Sequence, residues 1–199
     1  MREDRRHIQD RDLEVLRKTV QVPLNLECAV DDAMLAIAVA IKPEQVCLVP
    51  EKREEVTTEG GLDVAGRLAS VQDAVKRLSE AGIAVSLFID PCRDQVQASK
   101  ESGAPIVELH TGSYAHSFRS SNEGQEIEKI KRAAVLACQL GLRVDAGHGL
   151  TYNNVKAIAR MQEIRELNIG HSIVSRSILI GMERAVREMK DILSSVERS

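Results

Sequence analysis

The stretch VDAGHGL places His148 between Gly147 and Gly149 at the point where an apolar run stops. A histidine kept for packing sits among side chains that hold it, whereas glycine neighbours pack nothing and let backbone and ligand approach closely. Its imidazole titrates near neutral pH, and the flanking glycines allow backbone N–H groups to face an anion, so proton transfer on an anionic substrate is the first reading. Two carboxylates stand in comparable places: Glu27 ends the run PLNLE, and Glu108 lies in VELH. Loss of hydration at Glu27 is expected to favour its protonated form and make it a usable base near neutral pH. A lone glutamate there is more often half of an ion pair, but three acid–base groups at successive run ends argue for chemistry.

Gly170-His171, just before a helical pattern, offers N–H groups to a phosphate at a helix N-terminus, with a tight turn around a packed His171 as the plainer alternative. Arg2, Arg5, Arg6 and His7 could grip a phosphate or make surface ion pairs, and Thr57 and Thr58 lie in the charged loop EKREEVTTEGG. His110, His148, Glu27 and Glu108 are metal-ligating types, but without an HxH or HExxH spacing no metal is expected. Tyr114, His116 and Arg119 fall in a Ser-rich segment read as a mobile lid or solvated surface.

These groups must be carried by something regular. Asp10 or Asp12 can cap a helix bearing Leu13, Leu16 and Val20, and a second helix is expected over residues 31–42, ended by Pro43. Leu68, Val71, Val75 and Leu78 share a helical face that Gly82 closes, and a short polar helix ends near Gly103. Ile127, Ile130, Ala134 and Cys138 mark another that ends at Gly141; residues 151–165 are expected helical, and one last helix puts Ile178, Met182, Val186 and Met189 on one side. Between them lie strand-like PLNLEC, QVCLVP, IAVSLFID, PIVELH, LRVDAG and LNIG. Helices alternating with short apolar runs signify βα units and a parallel sheet, and without GxGxxG they point to a (β/α)8 barrel rather than a doubly wound sheet. About six strands are present, short of the eight that close a barrel. The chemical groups then gather at the C-terminal strand ends, where barrels keep their active sites.

Composition narrows the classes. The 199 residues, 43% apolar and 29% charged, suit one soluble domain over 1–199 with no linker or low-complexity tract. A net charge of −3 and 2% aromatic residues without Trp leave no footprint for nucleic acid. The longest apolar run, residues 33–41, is too short for a bilayer and the charged N-terminus is no signal peptide, so a cytoplasmic protein is expected. Cys28, Cys47, Cys92 and Cys138 are far apart without CxxC and are expected to be reduced and mostly buried.

Several long blocks in one order, REDRRHIQDRD from Arg2, NLE ending at Glu27, LVPEKREEVTTEGGLDV from Leu48, VELHTG from Val107, VDAGHGLTYNNV from Val144 and ELNIGHSIV from Glu166, resemble the pyridoxine 5′-phosphate synthase family over essentially the whole chain. The resemblance implies a barrel enzyme of vitamin B6 biosynthesis, a homo-octamer without metal or organic cofactor. It condenses 3-amino-2-oxopropyl phosphate with 1-deoxy-D-xylulose 5-phosphate to pyridoxine 5′-phosphate, phosphate and water. By the same resemblance Glu27 is the proton acceptor, His148 the proton donor and Glu108 the group that stabilises the transition state. Arg2, His7, Thr57, Gly149, Gly170 and His171 contact substrate and phosphate. In the family, the REDRRHI loop follows a strand ending in a catalytic histidine and an earlier strand with Asn, Asp and His, whereas here Met1 precedes Arg2 directly. A shortened chain of low activity is therefore expected, incomplete at its N-terminus. The rival readings are another phosphosugar isomerase or aldolase on a barrel, though a Schiff-base aldolase needs a strand-end lysine that is not found, and a non-catalytic phosphate-binding or oligomer-building subunit.

Overall fold

Short runs rich in Val, Ile, Leu and Cys form β1 (Asn25–Ala29), β2 (Gln45–Val49), β3 (Ala84–Ile89), β4 (Ile106–His110), β5 (Arg143–Gly147) and β6 (Ile164–Asn168). All pair in parallel, and their order across the sheet is their order along the chain. The computed structural model describes residues 1, 4–5, 7–50 and 60–196. The connections carry α1 (Asp10–Thr19), α2 (Asp32–Ile41), α3 (Leu68–Glu80), α4 (Arg93–Ser102), α5 (Gly112–Ser117), α6 (Glu123–Gln139), α7 (Val155–Ala159), α8 (His171–Ile180) and α9 (Met182–Ser194). Right-handed crossovers between strands laid down in sequence put every covering helix on the same side, which is barrel-type winding; a doubly wound sheet reverses its order midway.

That winding divides each strand between two environments. On the helix-covered side Val46, Leu48, Val85, Leu87, Ile89, Val107, Leu109, Val144 and Ala146 are wholly buried. Each large one contributes roughly 1.5–3 kcal/mol over an exposed side chain. The other side is polar: the register sets Glu27 beside Cys47, Cys47 beside Ser86, Phe88 beside Glu108 and Glu108 beside Asp145. Asp145 is fully buried there, 3.0 Å from Arg143 on its own strand.

Helix limits follow local chemistry. Asp31 caps α2 by accepting from the N–H groups of Ala33 and Met34, and Lys42, left-handed at φ 52°, ends it ahead of Pro43. Four expectations are corrected. The Ser-rich segment read as a lid contains helix α5, and Tyr114 is buried at 1% exposure because its hydroxyl donates to the Asn154 carbonyl at 2.6 Å. The helix expected over residues 151–165 shrinks to α7, since the Asn154 side chain engages the Thr151 N–H and the Gly149 carbonyl in a turn, and β6 already starts at Ile164. The last helix breaks at Gly181, φ 83°, and of its expected apolar face only Met189 is buried, while Ile178 and Met182 are 81% and 52% exposed. Of the cysteines, Cys28 and Cys47 are buried but Cys92 and Cys138 are exposed, because the latter two lie at helix N-cap and helix-surface positions. No helix among the described residues is long and apolar enough to cross a membrane.

Candidate active site

Alternation on β4 sends Glu108 and His110 to the polar side, and both are buried, at 4% and 3% exposure. Glu108 accepts from the Cys47 thiol at 3.5 Å and is hydrogen-bonded by the Asn168 side chain. Gly147 makes room for it: a Cβ there would stand 2.2 Å from Glu108 Oε1. Burial, and then the like charge of Glu27, push the Glu108 carboxyl from 4.5 up to about 7. Burial and the same two carboxylates hold the Cys47 thiol well above its ordinary range.

The desolvated carboxylate expected at Glu27 is thus found at Glu108. Glu27 is exposed because β1 is an edge strand of the sheet among the described residues, whereas Glu108 lies on β4 with a strand on either side. Its charge nonetheless reaches Glu108, so the two acids share one field.

Above Glu108 the strand ends bring three rings together. His110 and His148 stand edge to face with centroids 4.9 Å apart, and Phe88 is 5.1 Å from His110. His110 Nδ1 lies 3.1 Å from Asp90 Oδ1, which also accepts the Gly61 N–H at 3.0 Å. Hydrogen bonding with His110 is the main cause that holds the Asp90 carboxyl below its usual range. His148 is exposed, with φ 78°, and Gly149 follows at φ 77°. Gly149 must lack a Cβ, which would meet the Ala115 methyl at 2.6 Å.

Gly170 is the N-cap of α8 and His171 its first residue; no side chain caps the exposed N–H groups there. Ser172 Oγ donates to the Leu150 carbonyl at 2.8 Å and ties this turn to the segment after His148. Glu27 on β1 and Glu108 on β4 thus lie on one face of the sheet and within each other's field, His148 and Gly149 follow β5, and Gly170 and His171 follow β6, tied to the His148 segment through Ser172. His7 is exposed in the segment before α1, and Arg2, Arg6, Thr57 and Thr58 lie outside the described residues. Among the described residues no three His, Cys, Asp or Glu side chains are grouped as a metal ion would need.

Sequence reasoning missed Cys47, Asp90, Asn168 and Thr111. Strand parity carried a signal for the first: Cys47 is level with Glu27 and so shares its face. Asp90 and Asn168 close their runs as Glu108 and His110 do, but a single polar residue at a strand end does not say what it touches.

Solved structures with a similar fold include a xylose isomerase domain protein from Planctomyces limnophilus (TM-score 0.51, 15% identity, 88% of this chain and 72% of that one). The YdjI aldolase from Escherichia coli K12 has TM-score 0.52 at 12% identity, with 92% and 69% covered. At such identities the likeness concerns the α/β barrel-type fold alone. Far nearer in sequence are two pyridoxine 5′-phosphate synthases. That of Pseudoalteromonas translucida is 56% identical over 97% of this chain and 79% of that protein, and that of Photobacterium profundum is 57% identical over 96% and 78%. Residues 1–195 match the family described as pyridoxal phosphate biosynthesis protein PdxJ, and on this coverage and identity the chain belongs to that family of vitamin B6 biosynthesis.

Proposed function

We propose that the chain is a ring-closing enzyme that condenses 3-amino-2-oxopropyl phosphate with 1-deoxy-D-xylulose 5-phosphate to pyridoxine 5′-phosphate, phosphate and water. The observation that carries this reading is the family match over residues 1–195, and a buried carboxyl, Glu108, on the same face as the exposed Glu27 supports it. Condensing an amine with a ketone and then eliminating and closing a ring requires protons moved at several atoms, and groups that exchange protons near neutral pH suit that traffic. Glu27, exposed on the polar side of the sheet, is the proton acceptor. His148 is the proton donor. Glu108, whose carboxyl burial and Glu27 push upward, stabilises charge that develops between them.

Two phosphates need N–H donors and cations. The uncapped start of α8 at Gly170 and His171, beside Gly149, supplies donors of this kind, and Arg2, His7 and Thr57 complete the set by family likeness. No lysine occurs on any of the six strands, which argues against a Schiff-base aldolase. The protein is cytoplasmic and assembles as a homo-octamer; Val174, Ile178 and Leu179, 54%, 81% and 79% exposed on α8, support burial between subunits.

The test is formation of pyridoxine 5′-phosphate from the two phosphorylated substrates by the purified chain and by His148→Ala and Glu27→Ala. Turnover abolished by either substitution supports the assignment. Binding of 1-deoxy-D-xylulose 5-phosphate without turnover by the unaltered chain favours a phosphate-binding subunit instead.

A further inference from the structure

His148 has a left-handed backbone, φ 78°, which a residue with a Cβ resists, and it is followed by a second left-handed residue, Gly149. Glycine at 148 would adopt this shape freely, so keeping an imidazole there requires something that over-determines the turn. The hydrogen bonds under the turn supply it. Thr111 Oγ1 lies 2.8 Å from the Gly147 carbonyl and 2.6 Å from the His148 carbonyl, while Thr111 N–H also donates to the Gly147 carbonyl at 2.8 Å.

A hydroxyl has one proton. Its shorter contact, 2.6 Å, is to the His148 carbonyl, while the Gly147 carbonyl also has the Thr111 N–H at 2.8 Å. Thr111 is fully buried, and if the peptide after His148 rotated to an ordinary conformation its hydroxyl would lose the shorter of its two acceptors and the His148 carbonyl would lose its donor. One residue further, the Asn154 amide, buried at 4% exposure, donates to the Gly149 carbonyl at 3.1 Å. Three successive carbonyls are thus held from beneath while the ring of His148 stands against His110 on the open side.

We propose that Thr111 is a positioning residue whose hydroxyl locks the His148 backbone in its left-handed form and so aims the imidazole across the strand ends. This rests on the assignment of His148 as proton donor. Thr111→Val keeps the shape and removes the donor; Thr111→Ser keeps the donor.

Expected for Thr111→Val is a fall in kcat of roughly 10–100-fold, the scale of a misaimed catalytic group, with KM for both substrates changed less than about 3-fold. Thr111→Ser should recover most of the loss. Crystal structures of both variants should show His148 leaving positive φ in the first and keeping it in the second. In a His148→Gly background, where the left-handed form needs no lock, Thr111→Val should leave the turn in place. A Thr111→Val protein that keeps His148 at positive φ overturns the proposal, as does a Thr111→Ser protein as impaired as Thr111→Val. Should Thr111→Val not fold, Thr111→Ser and the His148→Gly, Thr111→Val pair decide by the same backbone readout. If His148→Ala turns over normally, the donor assignment fails, and the lock is judged on the φ of residue 148 alone.

Discussion

Replacing Glu108 by glutamine should stabilise the fold at about pH 8 by about 3.5 kcal/mol and leave it nearly unchanged near pH 4. In the folded chain this carboxyl is raised from 4.5 to about 7 by burial and by Glu27. Below the ordinary value both folded and unfolded chains hold the proton, and the group contributes nothing. Between 4.5 and about 7 the folded chain keeps a proton that the unfolded chain has released, so rising pH favours unfolding; above that the full cost stands. About 2.5 pH units at roughly 1.4 kcal/mol each gives the stated figure. Because Glu108 is only 4% exposed, solvent screening does little to reduce it. Glutamine imitates the protonated acid and can still accept from Cys47, so the difference isolates ionisation. Urea unfolding of both proteins across this range should show midpoints that coincide in acid and part by about 1–2 M above neutrality. A difference that does not vary with pH would refute the argument, since it would mean that Glu108 ionises as easily folded as unfolded.

Glu27→Gln should lower the Glu108 value, because it removes the nearby like charge; carboxyl 13C titration of the labelled protein reads this, and an unmoved value means the two acids do not share a field. Gly147→Ala should destabilise by about 1–3 kcal/mol as its methyl collides with Glu108 Oε1, and thermal unfolding in a Glu108→Ala background should show most of that cost gone. Tyr114→Phe should cost about 1–3 kcal/mol in chemical denaturation, since it leaves the Asn154 carbonyl without its donor. A solvated lid would show no such loss.

The strands were legible because a parallel sheet buries both faces of its inner strands, and runs such as QVCLV and AVSLFI advertise that burial directly. What the sequence did not reveal is how solvent divides between two similar carboxylates. Glu27 and Glu108 both follow apolar residues, but one stands on an edge strand and the other between neighbours, and only the pairing order distinguishes them. Residues 112–117 misled because Gly, Ser and His are poor helix formers; burial of Tyr114, a tertiary effect, outweighs their propensity. Asn154 likewise reads as an ordinary helix-start residue until its side chain is seen donating to the Gly149 carbonyl. Thr111 was inside a quoted motif, but nothing in the letters HTG announces that one hydroxyl faces two carbonyls.

The two-sidedness of the strands has an evolutionary consequence. Residues such as Leu87 and Val107 answer only to packing, and their immediate chain neighbours Phe88 and Glu108 answer to the polar groups on the opposite face. Selection for thermal tolerance and selection for altered chemistry therefore draw on different letters of the same five- or six-residue words. Lineages of this scaffold can change one vocabulary while conserving the other, which makes alternate strand positions the place to look for divergence of substrate among proteins that share its winding.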